Sequence, residues 1–431
     1  MNQKTLLGLI VIALIVIVAA VAIHHANQPL SETAETSHKL VPDLKAHIND
    51  IDKVVFTGAG NKTIATLHRG KDGWTVAEKG GYAADVGKLR EFLLKLANAT
   101  VIENKTSDKA RYDAIGVRDV ADKDAKGVEV EIDGAGQPIK LIVGAPDSRG
   151  SGTFVRRVGD AQSLLVSGRL SAEKNTSDWL NKNLVDIPAN RIADVTITRP
   201  DGQIVQVDKD AKGDADFTLT DLPKGREAAA SYTVNGVATT LADLRLEDVL
   251  PAGEAAPAAD AIKASYATFD GLVVDVGAWS KDGKDYAQLK ASADRERAEK
   301  NIAAEQEDAM AKAAAQDKAT DANKKDAASK AGAASAGAAT KEDKTGAANR
   351  EPLAVANPAK DKADKLAALD KEAADLNARF DGWTYVLPSY KYSNIDKSMD
   401  DLLKPLEAKA KPQKGENHGK APKKRSKARS H

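Results

Sequence analysis

The chain has 431 residues, 63 of them basic and 63 acidic, so its formal net charge of zero points to neither a polyanionic nor a polycationic partner. It contains no cysteine, which excludes structural disulfides, thiol nucleophiles, zinc-thiolate sites and an acylated N-terminal cysteine. A hydrophobic content of 42% in a chain of this length is enough for two or three domains.

The N-terminal part carries an apolar run, LLGLIVIALIVIVAAVAI, at residues 6–23. As a helix it would span about 27 Å, close to the hydrocarbon thickness of a bilayer. Lys4 precedes the run and no Lys or Arg follows it before Lys39, so the positive-inside rule predicts an exported body. We therefore predict a cytoplasmic end and transmembrane anchor at 1–23 and a spacer at 24–45. A cleaved signal peptide is the alternative.

A first α+β region is predicted at residues 46–187. Three short runs of strand-forming residues are followed by a helix at 85–97, and turn residues separate the runs. The runs lie at 54–56, 64–67 and 74–76. Apolar residues of the helix recur at spacings of three and four, which predicts one buried face. That face consists of Val86, Leu89, Leu93 and Leu96.

A similar order of elements returns twice along the chain, which predicts tandem βββα sheet-plus-helix units of the α+β class. The second unit closes with a helical segment at 178–180, and the third has a helix at 234–246. The predicted strands of these two units lie at 128–132, 139–143, 153–157, 164–167, 195–197, 204–207 and 217–219.

The second α+β region is predicted at 188–291, with 379–407 completing it, because the strands at 272–276 and 286–289 find a third strand only at 383–387. The intervening 292–378 is a low-complexity insertion rich in Ala, Lys, Asp and Glu. It is predicted either as a helical, coiled-coil-like hairpin with arms at 294–317 and 360–378 or as disordered. Since it offers few large apolar side chains, we expect the core not to need it. Residues 408–431 are predicted to be a basic disordered tail.

Reactive side chains do not form a recognisable catalytic set, and no catalytic, cofactor-binding or metal site is predicted. Ser171 and Lys174 have an S-x-x-K spacing, but the only K-T-G lies at 344–346, inside the insertion. The glycine-rich loop at 144–152 lacks the order that cradles phosphate. Arg156 and Arg157 end a predicted strand on opposite faces and are the candidate contacts for an anion or a partner. A structural pair with a carboxylate of a neighbouring strand is the favoured interpretation of such an arginine.

Several short motifs resemble the DUF4340 domain family over roughly residues 51–250, with a weak return at 383–387. They are WTV at 74–76, YAAD at 82–85, YDAIGV at 112–117, LIVG at 141–144, TFVR at 153–156 and DWL at 178–180. The family usually has Tyr or Phe followed by Gly-Leu where this chain has YDAIGV, and the alanine-rich insertion is not typical of it. The resemblance implies a bacterial envelope protein with one N-terminal helix, often encoded near an ABC-type transport system and a gliding-motility-like protein. It supplies no catalytic residues.

Two functional hypotheses follow. The first is a non-enzymatic, single-span inner-membrane protein with its body in the periplasm, an accessory subunit of an ABC-type transport or gliding-like envelope complex, with other envelope proteins and a permease as partners. The second is a free-standing periplasmic module that binds cell-wall polysaccharide or anionic lipid. A hydrolase is a distant third, and nucleic acid is not expected as a partner of an exported body.

Overall fold

The computed structural model describes residues 38–331, 355 and 357–405. Within these ranges the fold is mixed α/β, with two large antiparallel sheets and seven α-helices. None of the helices in this part of the chain is long and apolar enough to cross a bilayer. The apolar run at 6–23, the K-T-G at 344–346 and the basic tail at 408–431 lie outside the described residues.

The first sheet has nine strands, all paired antiparallel. They are β1 (Lys53–Gly58), β2 (Lys62–Gly70), β3 (Gly73–Val76), β4 (Tyr82–Ala83), β5 (Val101–Asn104), β6 (Val128–Asp133), β7 (Ile139–Pro146), β8 (Thr153–Arg157) and β9 (Ser163–Val166). Their order across the sheet is β4-β3-β2-β1-β6-β7-β8-β9-β5. Strand β6 illustrates why these segments form strands: apolar and acidic residues alternate in its sequence VEVEID, and every second side chain is buried.

Three helices accompany this sheet: α1 (Leu44–His47), α2 (Val86–Asn98) and α3 (Tyr112–Ile115). Helix α2 starts at the predicted place, where the carboxylate of Asp85 accepts the main-chain N–H of Lys88 at 2.9 Å. Its predicted buried face is wrong at one position, because Val86 is 49% exposed while Phe92 is buried. Helical side chains lean toward the N-terminus, so a first-turn residue points past the end of the helix.

The second sheet has eight antiparallel strands in the order β13-β12-β11-β16-β17-β18-β19-β15. They are β11 (Ile192–Thr198), β12 (Ile204–Asp208), β13 (Thr218–Leu219), β15 (Asp248–Pro251), β16 (Ile262–Thr268), β17 (Leu272–Lys281), β18 (Lys284–Ala293) and β19 (Trp383–Leu387). A separate two-stranded pair is formed by β10 (Asn183–Val185), which lies between the two sheets in sequence, and β14 (Leu244–Arg245), which lies between β13 and β15. Helices α4 (Ser231–Ala238) and α7 (Ser389–Ile395) also belong to this half.

The repeated units are divided between the two large sheets. The first two share the nine-stranded sheet and the others share the eight-stranded one, and β16 was missed. The helix predicted at 234–246 is also too long, because α4 ends at Ala238. Two threonine hydroxyls end it by donating to main-chain oxygens, Thr239 to Gly236 at 2.9 Å and Thr240 to Val237 at 2.8 Å.

Two long helices, α5 (Arg295–Ala331) and α6 (Pro358–Phe380), occupy the described parts of the insertion, so its predicted arms are helical. The predicted pairing of β18 with β19 is confirmed. The expectation that the core does not use the insertion is wrong, because Leu369 and Leu376 are buried at 6% and 5% exposure. Their spacing of seven residues places both on one face of α6. This apolar face was hard to recognise in the sequence because most of the surrounding residues are charged.

The two sheets meet through aromatic side chains and share one hydrophobic core. The Tyr82 ring on β4 lies edge-on to Trp383 at 5.0 Å and to Tyr385 at 6.2 Å. Close by, Lys79 Nζ lies 2.5 Å from Asp248 Oδ1. This junction joins an edge of the first sheet to β15 and β19 of the second.

Alkaline pH should weaken this junction. Burial raises the pKa of Tyr82 to about 12, so its stabilising contribution is complete below pH 10, the ordinary tyrosine value, and is lost as the pH rises from 10 through 12. The expected loss is about 2 kcal/mol. Urea unfolding at pH 9 and 12 should show a smaller pH-dependent loss for Tyr82→Phe than for the wild type. Equal losses in both proteins would contradict this assignment.

Candidate anion-binding cleft

Arg156, the first arginine proposed from the sequence, is buried, with 2% of its surface exposed. Its Nε donates to the main-chain oxygen of Val117 at 2.9 Å, and Nη1 donates to that of Asp160 at 2.8 Å. Nη2 pairs with the Asp119 carboxylate, and the guanidinium lies 4.8 Å from the centre of the Tyr112 ring. Because these partners occupy the guanidinium, we assign Arg156 a structural role.

Arg157 lies next to Arg156 on β8 and, as the alternation of a strand requires, points to the other face. It is half-buried, and its Nη2 donates to the main-chain oxygen of the buried Leu40. Arg157 thus ties the segment before α1 to the sheet. Neither predicted arginine lines the cleft that lies nearby.

The cleft is built on a tight turn at the end of α3. Gly116 adopts a left-handed conformation with φ of 70°. Gly144 of β7 passes so close to this turn that a Cβ on it would lie 2.4 Å from the main-chain oxygen of Ile115. Only glycine permits that approach. The YDAIGV and LIVG segments therefore cross in direct backbone contact.

A cleft of about 460 Å³ opens beside this crossing. It combines three basic side chains with one acidic side chain, and main-chain atoms of β7 form part of its wall. Strand β7 has an irregular register against β8 between Val143 and Pro146, which bends the strand at this point. The residues that line the cleft include Asp113, Lys126, Gly144, Ala145, Pro146, Arg169, Ser171 and Lys174.

The charges in the cleft are unequally paired. Lys126 Nζ lies 2.9 Å from Asp113 Oδ2, and the hydrogen bond from Lys126 lowers the pKa of that carboxyl group. Lys174 Nζ donates to the main-chain oxygen of Lys126 at 2.8 Å. Arg169 is exposed and makes no hydrogen bond or ion pair with the residues that the structure describes. The cleft therefore has an excess of positive charge, and Arg169 is free to bind an anion.

The S-x-x-K pair lies in this cleft, since both Ser171 and Lys174 line it. A lysine that activates a serine needs its nitrogen lone pair directed at the hydroxyl group. Here the Lys174 amino group donates to the carbonyl of Lys126 instead. The arrangement suits electrostatic binding of a ligand better than nucleophilic catalysis.

Sequence reasoning missed Arg169 and Lys126, although the strand pattern contains a signal for both. Because β6, β7, β8 and β9 are neighbours and alternate in direction, the first residue of β6 and the last residue of β9 lie at the same end of the strands. Lys126 precedes β6 and Arg169 follows β9, so both residues lie at this end of the sheet. The strand order was needed to see this, and the sequence alone left that order open.

The remaining motifs hold the domain together. Ala84 forms a β-bridge with Leu180, and the main-chain N–H of Asp85 donates to the Trp179 oxygen at 2.8 Å. The Trp179 ring is fully buried and stacks on Phe56 at 4.1 Å. YAAD and DWL therefore fasten the start of α2 to the core.

The match to known proteins covers the part of the chain that contains the cleft. Residues 74–263 match the family model described as "Domain of unknown function (DUF4340)". No curated protein matches the chain, and no solved structure matches it.

Proposed function

Residues 74–263 are a DUF4340 domain, and from this we propose that the protein is a non-enzymatic, single-span envelope protein whose body binds an anionic group in the cationic cleft. The observation that carries the proposal is Arg169, an exposed guanidinium with no partner of its own in the described chain, placed beside Lys126 and Lys174. The apolar run at 6–23 supports the membrane anchor.

The preferred biological setting is an accessory subunit of an ABC-type transport or gliding-like complex in a bacterial inner membrane. In that setting the anion is a carboxylate side chain of a partner protein, and the cleft binds it in a salt bridge. The resemblance to DUF4340 proteins supports this setting, because such proteins are often encoded beside transport genes.

Affinity purification from detergent-solubilised membranes tests this setting. We expect the wild-type chain to retain a permease or ATPase subunit and Arg169→Ala to retain much less of it. Arg90→Ala is the matched control, because Arg90 is an exposed arginine outside the cleft. Recovery of the wild-type chain alone would count against the accessory role.

The second candidate is a free-standing module that binds the carboxylates of a cell-wall polysaccharide or the phosphates of anionic lipids. The volume of the cleft, about 460 Å³, favours this candidate because it accommodates a small anionic group without a protein partner. Sedimentation with phosphatidylglycerol vesicles and with isolated cell wall separates the two sources.

Loss of Arg169 should weaken anion binding whichever source is correct. A hydrogen bond to a charged group contributes about 1.5–3 kcal/mol, which corresponds to a loss of affinity of about tenfold to a hundredfold in Arg169→Ala. Stability should change by less than about 0.5 kcal/mol, because the side chain is exposed. Equal sedimentation of Arg169→Ala and Arg90→Ala with the preferred anionic surface would exclude Arg169 as the binding residue.

A further inference from the structure

A second hollow lies on the open face of the eight-stranded sheet, far along the chain from the cationic cleft. It has a volume of about 580 Å³ and is floored by four adjacent strands, β11, β16, β17 and β18. The opposite face of these strands carries the apolar side chains of the core, for example Val276 and Leu289. The hollow is therefore a feature of the solvent side of the sheet.

The floor consists of two rows of residues that are paired across the strands. One row crosses the sheet through Gly277 and the other through Asp275. The first row is Thr198, Lys263, Gly277 and Gln288, and the second is Thr196, Ser265, Asp275 and Lys290. Asp381, just after α6, adds a carboxylate to the lining.

Nothing in the part of the chain that the structure describes requires a glycine at position 277. A Cβ there would meet none of its atoms within 4 Å. Gly277 is also absent from the residues with positive φ, so its backbone suits any amino acid. A glycine inside a strand weakens the sheet and often marks a place where a ligand approaches the backbone closely. The missing side chain leaves a flat patch of backbone at the centre of the hollow.

The polar groups around Gly277 include donors and acceptors in balanced numbers. The ammonium groups of Lys263 and Lys290 are matched by the carboxylates of Asp275 and Asp381, so the lining has no net charge. Among the described residues, neither lysine has an ion-pair partner within 4 Å. Such a lining favours an uncharged ligand with many hydroxyl groups over a single anion.

The side chains that already have partners add to this pattern. Ser265 Oγ donates to Asp275 Oδ1 at 2.7 Å. Gln288 Nε2 donates to Thr384 Oγ1 at 2.8 Å, which fixes the amide and leaves its Oε1 to accept a hydrogen bond.

We propose that this hollow binds an uncharged oligosaccharide, with one sugar ring lying flat on the backbone at Gly277. The hydroxyl groups of the ring would contact Thr198, Lys263 and Gln288 in the same row. A peptide that added to the sheet would need a free strand edge. Strands β11, β16 and β17 are paired on both sides, and beyond Ala287 the outer side of β18 is bonded at Ala291 by the Asn377 side chain of α6. Saccharide binding in the hollow does not depend on anion binding in the cleft, so either proposal can be disproved without affecting the other.

The test is calorimetric titration of the full chain in a polyoxyethylene detergent, since detergents with sugar head groups would compete. The probes are the tetrasaccharides of β-1,4-linked N-acetylglucosamine, β-1,4-linked glucose and α-1,4-linked glucose. We expect at least one of them to bind the wild type with a dissociation constant of about 1 mM or lower. Absence of binding by all three at about ten times that concentration would overturn the proposal.

Two variants locate the binding. Gly277→Val should weaken it at least about tenfold without lowering the unfolding temperature, because valine suits a strand and meets no neighbour. Gly213→Val, an equally unhindered change outside the hollow, should bind like the wild type. If Gly277→Val does not fold, Thr198→Val replaces it and should weaken binding several-fold. Wild-type affinity in the folded variant would overturn the proposal.

Discussion

Replacing residues 293–377 with a short Gly/Ser linker should destabilise the eight-stranded half strongly, although the sequence predicts the opposite. The reason is that α6 buries Leu369, Ala373 and Leu376 in the core. Each buried leucine reduced to alanine costs about 2–5 kcal/mol, and the deletion removes all three side chains at once. Since domains are typically stable by only about 5–15 kcal/mol, this half should lose its cooperative unfolding transition.

Polar contacts explain why α6 docks so specifically. The Asn377 side chain donates to the main-chain oxygen of Ala291 and accepts from its N–H, each at 2.8 Å, so it pairs with β18 where no strand does. The Glu372 carboxylate receives both terminal nitrogens of Arg191 at 2.7 Å. The two Asn377 bonds satisfy main-chain groups of β18 that a linker would leave exposed.

Leu376→Ala is the more controlled form of this experiment. We expect the free energy of unfolding, measured by urea denaturation, to fall by about 2–5 kcal/mol. Met310→Ala is the matched control on α5, because Met310 is 47% exposed and its loss should cost less than about 0.5 kcal/mol. Similar small losses in both variants would mean that α6 does not contribute to the core.

Trp179→Ala should have the largest effect of any single substitution in the first half. The indole is fully buried, stacks on Phe56 at 4.1 Å and lies edge-on to Phe92 at 6.3 Å. Truncating such a ring costs about 3–5 kcal/mol. The loss should appear in the free energy of unfolding, measured by urea denaturation and followed by far-ultraviolet circular dichroism.

Trp179→Phe separates ring packing from hydrogen bonding. The Nε1 of Trp179 is buried and has no hydrogen-bond partner among the described residues, so replacing the ring with phenylalanine breaks no hydrogen bond seen there. We expect this variant to lose less than half the stability that Trp179→Ala loses. If the two variants were equally destabilised, an unseen partner of the indole nitrogen would have to account for it.

Strands that have a simple sequence signal could be predicted well. The runs at 54–56, 64–67 and 74–76 all lie within β1, β2 and β3, where alternating apolar residues and Gly or Asn turns agree. Strand β16 was missed because its sequence, IKASYAT, includes alanine and serine, which have low strand propensity. It forms because both neighbours, β11 and β17, pair with it.

The cleft could not be predicted to the same degree, because its charged residues come from separate places in the sequence. Arg156 and Arg157 stand out in the sequence as an adjacent pair, yet both are tied to main-chain oxygens. Arg169 is isolated in the sequence, and only the strand order brings it to Lys126. Whether a charged side chain lacks an ion-pair partner depends on the folded surface, and it cannot be read from the neighbouring residues in the sequence.

The most direct test of the anion-binding proposal is a nuclear magnetic resonance titration of the full chain, labelled with ¹⁵N-arginine, with inorganic phosphate. The proposal predicts that the Nε–Hε signal of Arg169, assigned from its loss in Arg169→Ala, shifts and saturates while that of Arg90 does not. Equal, non-saturating shifts of both signals would show only general screening by salt and would contradict the proposal.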